Sequence, residues 1–529
     1  RRGAGKACGA SPRRQPPGQR AVFRGCRGRA MPRVREIGYI TDLEGDLDTL
    51  QRYLSSGQSV LRVGGNHAGV GLRLEFAAED TAFVFGGDLF DRGPGDLRLS
   101  RALLDLKARH PDRVTLLMGT QRRPRVQRWR RRQPEAPKAA FSAWWDEKAP
   151  TVTEFLESSG RSDSQASRLH WMLQHTLGCQ GTFEHRRAEL AALGGKDAGS
   201  VTDSEVVDSF LRAVEDDDGA VAAYLGVAQI VAVYGDTLFV HGAAEARALG
   251  FVPSQQGRFR PYDECEAAAL PGARQGVPLQ EWVAALNAFA AAGVAEWRAE
   301  PRWRADGTRG GEALMAYQCR PAVAAMSVVV ASYVDGFNMP SSEALAEDMM
   351  EGWKKHSDPM SPEAMRYLRA GGVRRVVVGH KPSGAAPAVL RAGGEDGLGF
   401  EVISADTNYA SRSSPDLRGG AWCEVRVRFP GAGVDAGGAG GGCPAPALAS
   451  QARLRGALPD GLGDYDFALQ VLGAGDPLVG RRSASGEWVR VRLAPEAGRG
   501  ARYLVSRGRG RSSTERVLSR DAVLDILAP

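Results

Sequence analysis

Seven short apolar runs set the strongest limit on the fold of this chain. Each is rich in β-branched or aromatic residues; they are residues 37–41 (IGYIT), 81–86 (TAFVFG), 113–119 (RVTLLMG), 229–235 (QIVAVYG), 237–242 (TLFVHG), 374–380 (RRVVVGH) and 400–404 (FEVIS). Strands that are apolar along their whole length are typical of a sheet covered on both faces. Helical patterns separate several runs, as after Pro94, where apolar residues recur at Leu97, Ala102, Leu103 and Leu106. The alternation predicts an α/β fold.

With 529 residues, the chain is longer than one ordinary domain, so we expect several units. The Gly/Ala/Pro-rich composition after residue 430 predicts a flexible linker, and the alternating sequences EWVRVRLAP and ARYLVSRG beyond it predict antiparallel strands. The predicted segments are a disordered basic N-terminal segment, 1–35; an α/β domain, 36–430, with helical insertions at about 120–228 and 276–370; a linker, 431–447; and a small β-rich module, 448–529.

The composition predicts a protein of the aqueous phase. Apolar residues make up 43% of the chain and charged residues 25%, and no run approaches the ~18 apolar residues of a membrane span. Seven cysteines without a CxxC pair favour free thiols in a reducing compartment. We therefore expect a cytoplasmic protein. Met31 is the expected initiator, and the arginine-rich residues before it are interpreted either as a translated leader or as a transit peptide for an organelle.

Charged and imidazole side chains follow the predicted strands where these end. They are Asp42 and Glu44, then Asp88, Asp91 and Arg92, then His241, and finally His380. In an open α/β sheet, ligands bind beyond the carboxyl ends of the strands, where the loops converge. Carboxylates and imidazoles gathered there are suitable ligands for divalent metals. A bound cation would neutralise charge that is otherwise costly at the end of a buried strand.

Five motifs, each beginning at or near the end of a predicted strand, occur in a characteristic order. They are DLEG (42–45), GDLFDRG (87–93), GTQR (119–122), VHGA (240–243) and VGHKPSG (378–384). In this order the motifs resemble those of the calcineurin-like metallophosphoesterases, a family that includes metal-dependent serine/threonine phosphatases. The resemblance spans residues 37 to about 410. It implies a four-layer α/β/β/α sandwich, here with helical insertions and the small C-terminal β module.

The resemblance also implies a centre with two divalent metals, Mn, Mg or Fe. The implied metal ligands are Asp42, Glu44, Asp88, His241 and His380. Asp88 would bridge the two metals, which such centres hold about 3.5–4 Å apart. Taken one at a time, these side chains are also compatible with purely structural roles, since Asp88 and Asp91 are suited to capping the following helix. His241 and His380 are likewise compatible with structural histidines in turns.

The implied catalytic residues are Arg92 and Asp91. Arg92 would clamp the substrate phosphate, because a planar guanidinium suits bidentate phosphate contacts. Asp91 would orient neighbouring groups. A metal-bridging hydroxide would attack the phosphorus, so no phosphoenzyme is required. The expected partner is therefore a phosphorylated substrate, with no membrane involved.

Two motifs depart from the family pattern. Glu44 stands where the family has His, which favours Mg or Mn over softer metals. The second departure is larger, since GTQR replaces the family's Gly-Asn-His or Gly-Asn-Arg-Asp sequence, and seven arginines lie between Arg122 and Arg132. These arginines are interpreted as a phosphate or nucleic-acid patch, as the mark of a phosphate-binding pseudo-enzyme, or as a gene-model error between Gly119 and about Lys138.

The predicted function is metal-dependent hydrolysis of phosphomonoesters, on protein or small-molecule substrates. Dinucleoside polyphosphates are an alternative substrate class. A second alternative is a degenerate phosphoesterase that binds phosphate or nucleic acid without turnover, nucleic acid being the less favoured ligand. Asp406, in the sequence SADT after the last strand, is interpreted either as a terminal Asp-Thr element or as a plain turn residue.

Overall fold

The computed structural model describes most of the chain in fifteen segments. They are residues 33–64, 71–90, 92–120, 150–253, 277–300, 310–319, 326–333, 361–382, 384–392, 399–407, 420–431, 433–435, 450–469, 475–507 and 514–528. Some predicted features lie outside these residues. They are Asp91, the arginines at 122–132, most of the N-terminal segment and most of the linker.

Strands and helices alternate through the first 410 residues. The strands are β1 (Arg33–Val34), β2 (Glu36–Ile40), β3 (Leu61–Val63), β4 (Leu74–Phe76), β5 (Thr81–Phe85), β6 (Val114–Leu116), β7 (Val231–Tyr234), β8 (Thr237–Val240), β9 (Arg375–Val378), β10 (Ala388–Ala392), β11 (Phe400–Ser404), β12 (Trp422–Arg428), β13 (Val434–Asp435), β14 (Gln451–Ala457), β15 (Asp464–Ala468), β16 (Glu487–Arg492), β17 (Arg502–Arg507) and β18 (Thr514–Ser519). All seven apolar runs predicted as strands form strands.

The helices of the described residues lie mainly in the two predicted insertions. They are α1 (Leu47–Ser55), α2 (Asp96–Arg109), α3 (Val152–Ser159), α4 (Gln165–Trp171), α5 (Thr182–Gly194), α6 (Asp203–Glu215), α7 (Ala220–Val227), α8 (Leu279–Ala299), α9 (Glu312–Cys319), α10 (Pro362–Ala370) and α11 (Arg520–Leu527). A π-helical turn, Met172–Thr176, continues α4. None of the described helices is long and apolar enough to span a bilayer.

Two mixed sheets form the centre of the fold. The larger has the strand order β15-β14-β12-β2-β5-β6, and the smaller has the order β10-β11-β9-β8-β7. Strands β2, β5 and β6 run parallel, as do β8, β9 and β11. The parallel strands of each sheet therefore bring their carboxyl ends to one edge of that sheet, which is where the predicted site residues follow.

The two sheets pack face to face, with helices outside them. Alternate residues of each strand point inward, so that the Tyr39 ring of β2 lies 5.7 Å from the Phe239 ring of β8. The hydroxyls of Thr115 and Tyr234 also meet between the sheets, 2.8 Å apart. Helices α1 and α2 contact the larger sheet, and α8 contacts β7 of the smaller one. The fold is the predicted α/β/β/α sandwich, and burial on both faces explains the continuous apolar runs.

The strands after the predicted linker divide between two sheets. Strands β14 and β15 add to β12 in antiparallel register and so extend the larger sheet. Ala452 and Leu454 of β14 are fully buried between the sheets, which accounts for this pairing. Strands β16, β17 and β18 form a separate three-stranded antiparallel sheet. The division into a domain, a linker and a module stays a prediction.

Candidate metal centre

Three predicted metal ligands meet where the edges of the two sheets face each other. Asp88 follows β5 of the larger sheet, whereas His241 and His380 follow β8 and β9 of the smaller sheet. One ligand atom from each of these three side chains lies within 4.8 Å of the others. An Asp-His-His group of this size is a suitable donor set for a divalent metal.

The imidazole of His241 is fixed in one orientation. The residue is fully buried, and its Nδ1 lies 2.8 Å from the carbonyl oxygen of Gly86. A carbonyl can only accept, so Nδ1 carries the proton, and Nε2 faces the centre at 3.2 Å from Oδ2 of Asp88. A metal-binding histidine usually has this arrangement, because the hydrogen bond at one ring nitrogen orients the other toward the metal.

The two histidines beside Asp88 keep its carboxyl ionised. Burial alone would raise its pKa, yet the charges of His241 and His380 hold the pKa below the ordinary value. The hydroxyl of Thr120 donates to Oδ2 of Asp88 at 2.8 Å and acts in the same direction. The pKa of His241 is raised, since the neighbouring Asp88 carboxylate outweighs the lowering effect of burial. Asp88 therefore carries negative charge at the centre of the group.

Asp42 lies beside the three ligands and is joined to the loop of His380. Its carboxylate accepts the backbone N–H of His380 at 3.2 and 3.1 Å and the hydroxyl of Thr41. Burial raises the pKa of Asp42 well above its ordinary value, and the nearby Asp406 and Asp88 carboxylates raise it further. Several acids at one buried place repel one another, which is an electrostatic arrangement that a cation relieves.

The backbone at the centre is held in an uncommon conformation. Among the described residues, the non-glycine residues with positive φ are Asp42 (53°), Glu44 (44°), Asp88 (46°) and His380 (76°). Such conformations cost about 1–3 kcal/mol each and cluster at functional sites. Close packing around these residues leaves no room for a further side chain, since a Cβ added to Gly119 would lie 2.2 Å from Oδ1 of Asp88.

Glu44 and Arg92 lie against each other, next to the three ligands. Nε of Arg92 is 3.4 Å from Oε1 of Glu44, and both side chains are mostly buried. The backbone N–H groups of Arg92 and Gly93 both donate to the carbonyl of Glu44, at 2.8 and 2.7 Å. The loops that carry the first two motifs are thus joined directly, and Glu44 contacts the predicted phosphate clamp. Asp91, which precedes Arg92 in the sequence, is outside the described residues.

Two contributors to the centre, and one contact to a neighbouring segment, were not among the predicted site residues. Asp406, noted only as a possible terminal element, is buried, and its charge acts on both Asp42 and His241. Thr41 precedes Asp42 and bonds its carboxylate, a role that its place in the chain suggests only in hindsight. The buried guanidinium of Arg490, from β16, donates to the carbonyls of Ala386 and Pro387 in the segment that follows His380. No local sequence pattern identifies this last contact.

The residues present fit a divalent metal. Nε2 of His241 is buried and makes no hydrogen bond of good geometry with the described residues, so this nitrogen is available as a ligand. Asp88 supplies an ionised oxygen directly opposite it. Asp42 and Asp406 add buried carboxylates nearby, which suits a second ion or a more highly charged centre.

Comparison with known proteins gives matches only among solved structures. No protein-family model matches the chain, and no curated protein matches it. One similar structure is the cold-active protein-tyrosine phosphatase of a psychrophile, Shewanella sp., with 13% identity and a TM-score of 0.36, covering 83% of this chain and 81% of that chain. Another is a protein serine/threonine phosphatase from Saccharomyces cerevisiae with similarity to human phosphatase PP5, with 12% identity and a TM-score of 0.30, covering 80% of each chain. Similarity at this level does not assign a function, which has to be argued from the site.

Proposed function

We propose that this protein is a metal-dependent phosphoesterase of the calcineurin-like kind, and that it hydrolyses phosphate monoesters. The observation that carries the proposal is the convergence of Asp88, His241 and His380 at the facing edges of two sheets, within 4.8 Å. Asp42 lies next to this group through its hydrogen bonds to the backbone of His380. These four residues, together with Glu44, would hold two divalent metals, Mn, Mg or Fe.

The chain's own residues would divide the remaining tasks. Bound metals would supply Lewis-acid stabilisation and lower the pKa of water to about 7. Asp88 would keep its charge, because its neighbours hold its pKa low. His241 would present Nε2 in a fixed direction, since Gly86 accepts its Nδ1 proton. The fold would thus place these side chains before substrate binds. Such preorganisation is the main way in which proteins lower the barrier for phosphoryl transfer.

Arg92 would bind the phosphate of the substrate. Its side chain is 17% exposed, with its Nε against Glu44, a proposed metal ligand. The carboxylate of Glu44 would hold the fork in place while the other N–H groups contact phosphate oxygens. A planar guanidinium gives bidentate contacts to a phosphate monoester. Glu44, as a hard oxygen ligand, stays a proposed ligand of the first metal.

Removal of metal is expected to abolish hydrolysis. Wild-type protein treated with a chelator should lose turnover of para-nitrophenyl phosphate, and added Mn²⁺ or Mg²⁺ should restore it, because Arg92 alone would not lower the pKa of a water molecule. Metal content should reach about two ions per chain in the active protein. Hydrolysis that resists the chelator, with no metal found in the protein, would contradict the proposal.

Replacement of Thr120 by Asn is expected to increase turnover. Thr120 donates its hydroxyl to Asp88 at 2.8 Å, at the place where an amide oxygen would be a better metal ligand. A gain of about 10-fold in kcat is expected, the lower end of what partners of metal ligands contribute. The matched control is Thr202→Asn, since Thr202 is an exposed N-cap of α6 and Asn is an equally good cap.

The same experiment distinguishes the proposal from its rival, a phosphate-binding protein without turnover. One observation favours that rival: Thr120 donates a hydrogen bond to Asp88 at the position where the proposed centre would use a metal ligand. Wild-type protein that binds phosphate but never hydrolyses an ester, and a Thr120→Asn variant that remains inactive with metal bound, would favour the binding protein.

A further inference from the structure

The N-terminus of α2 is capped by a residue distant in the chain. Helix α2 begins at Asp96, four residues after Arg92, and its N-cap residue Gly95 makes no side-chain hydrogen bond. The first N–H groups of a helix need partners from elsewhere. The carboxylate of Glu189, in α5, accepts the N–H of Leu97 at 2.9 and 3.1 Å and that of Arg98 at 3.0 Å.

Glu189 belongs to a buried cluster of charges that joins two insertion helices to α2. Arg186, one turn earlier in α5, lies 3.2 Å from Asp96 and 3.8 Å from Glu189, and the side chains of all three are at most 3% exposed. Its Nη1 also donates to the hydroxyl of Ser209 in α6 at 3.0 Å. Each charge of the cluster has an opposite charge beside it, so the cluster is a fixed junction and not a solvated surface pair.

The junction is in contact with both motif loops of the candidate centre. A Cβ added to Gly45 would lie 2.5 Å from Oδ1 of Asp96, so Asp96 packs against the loop of the first motif. That loop holds the backbone of Arg92 and Gly93 through the carbonyl of Glu44. A displacement of the start of α2 would therefore displace Arg92, but it would leave His241 and His380 in place, because these residues belong to the other sheet.

We infer that Glu189 is a positioning residue for phosphate binding: from the helical insertion, it fixes the start of α2 and thereby the place of Arg92. This inference rests on the proposed function. Glu189 does not touch the substrate. It acts through the backbone of residues 92–98. The helical insertion therefore contributes to the phosphate site without contacting the substrate.

The test compares Glu189→Ala, Glu189→Gln and Glu189→Asp with the wild type at saturating Mn²⁺. In Glu189→Ala, we expect the KM for para-nitrophenyl phosphate and the inhibition constant of orthophosphate to rise by about 10- to 100-fold, the range found when a residue that orients a site residue is lost. Because His241 and His380 lie on the other sheet, metal content at saturating Mn²⁺ should fall much less than the affinity for phosphate. Glu189→Gln keeps an accepting oxygen and should restore most of the affinity, whereas the shorter Glu189→Asp should give an intermediate value and carries the test if the Ala variant does not fold.

The matched control is Glu184→Ala, which removes a carboxylate from the same helix at a side chain that is 57% exposed. This variant should have the wild-type KM. An unchanged KM and inhibition constant in both Glu189→Ala and Glu189→Asp would overturn the inference, as would a fall in kcat with loss of metal and no change in KM.

Orthophosphate binding, measured by calorimetry, tests the inference without turnover. If the wild type binds orthophosphate but does not hydrolyse the ester, the proposed function fails, while weaker binding by Glu189→Ala still supports the inference and equal binding overturns it.

Discussion

Replacing Asp88 with Asn is expected to reduce the kcat for para-nitrophenyl phosphate by about 10³-fold, the upper end of the loss when one preorganised charge-stabilising group is removed. Asn has nearly the same shape and tolerates the left-handed φ of 46° found at this position. The substitution therefore removes a charge and leaves the backbone in place. Metal content should fall with turnover, because Asp88 lies opposite His241 at the centre of the ligand group.

The control for Asp88→Asn is the same substitution at Asp105, an exposed residue of α2 that pairs with Arg109 at the surface. It should keep wild-type turnover, since surface ion pairs contribute little to stability. Thermal unfolding of both variants checks that the fold survives. Full turnover in Asp88→Asn with unchanged metal content would show that the convergence of Asp88, His241 and His380 is not the catalytic centre.

The strands of the sandwich could be predicted from the sequence because a strand that is buried on both faces is apolar along its whole length. Phe83 and Phe85 of β5 face the helices, and Ala82 and Val84 face the opposite sheet, so the run is apolar throughout. The same reasoning found all the parallel strands of the centre. Which strands share a sheet is harder to predict from the sequence, because β14 pairs with β12 through contacts that depend on the residues of both strands.

The candidate site could be predicted only as a set of strand ends. Parallel strands bring their carboxyl ends together, so Asp42, Asp88, His241 and His380 were expected to gather where the strands end. That the edges of the two sheets face each other is a property of how the sheets pack, for which the ordered motifs gave indirect support. Asp406 reaches the same place from β11, but a single acid after a strand carries no distinguishing signal.

Long-range polar partners were beyond the reach of the sequence. Glu189 caps α2 by accepting the N–H of Leu97, which lies 92 residues earlier in the chain. Arg490 reaches Ala386 across 104 residues. Helical periodicity places Glu189 on α5 but does not identify what it contacts, because the residue type is the same for a buried and a solvated carboxylate. Both contacts hold segments adjacent to metal ligands, which gives the insertion and the C-terminal sheet a structural link to the site.

The second large effect is expected at His241. Replacing it with Ala should lower kcat by about 100-fold, the upper end of the loss for groups that support a metal site. The substitution removes a proposed ligand, leaves the carbonyl of Gly86 without its donor and takes away the imidazole beside Asp88 that helps to keep its pKa low. Metal content and kcat, measured together, check the prediction.

A second histidine separates loss of a ligand from loss of packing. His170 stacks on Phe183 within the helical insertion, with ring centroids 3.8 Å apart. It is not a proposed metal ligand. His170→Ala should lower the melting temperature but keep kcat, whereas His241→Ala should lose kcat even well below its melting temperature. If both variants lose stability and neither loses kcat when folded, His241 is a structural histidine of the strand end. In that case Asp88 and His380 would have to bind metal without it, which two donors from opposite sheets are poorly placed to do.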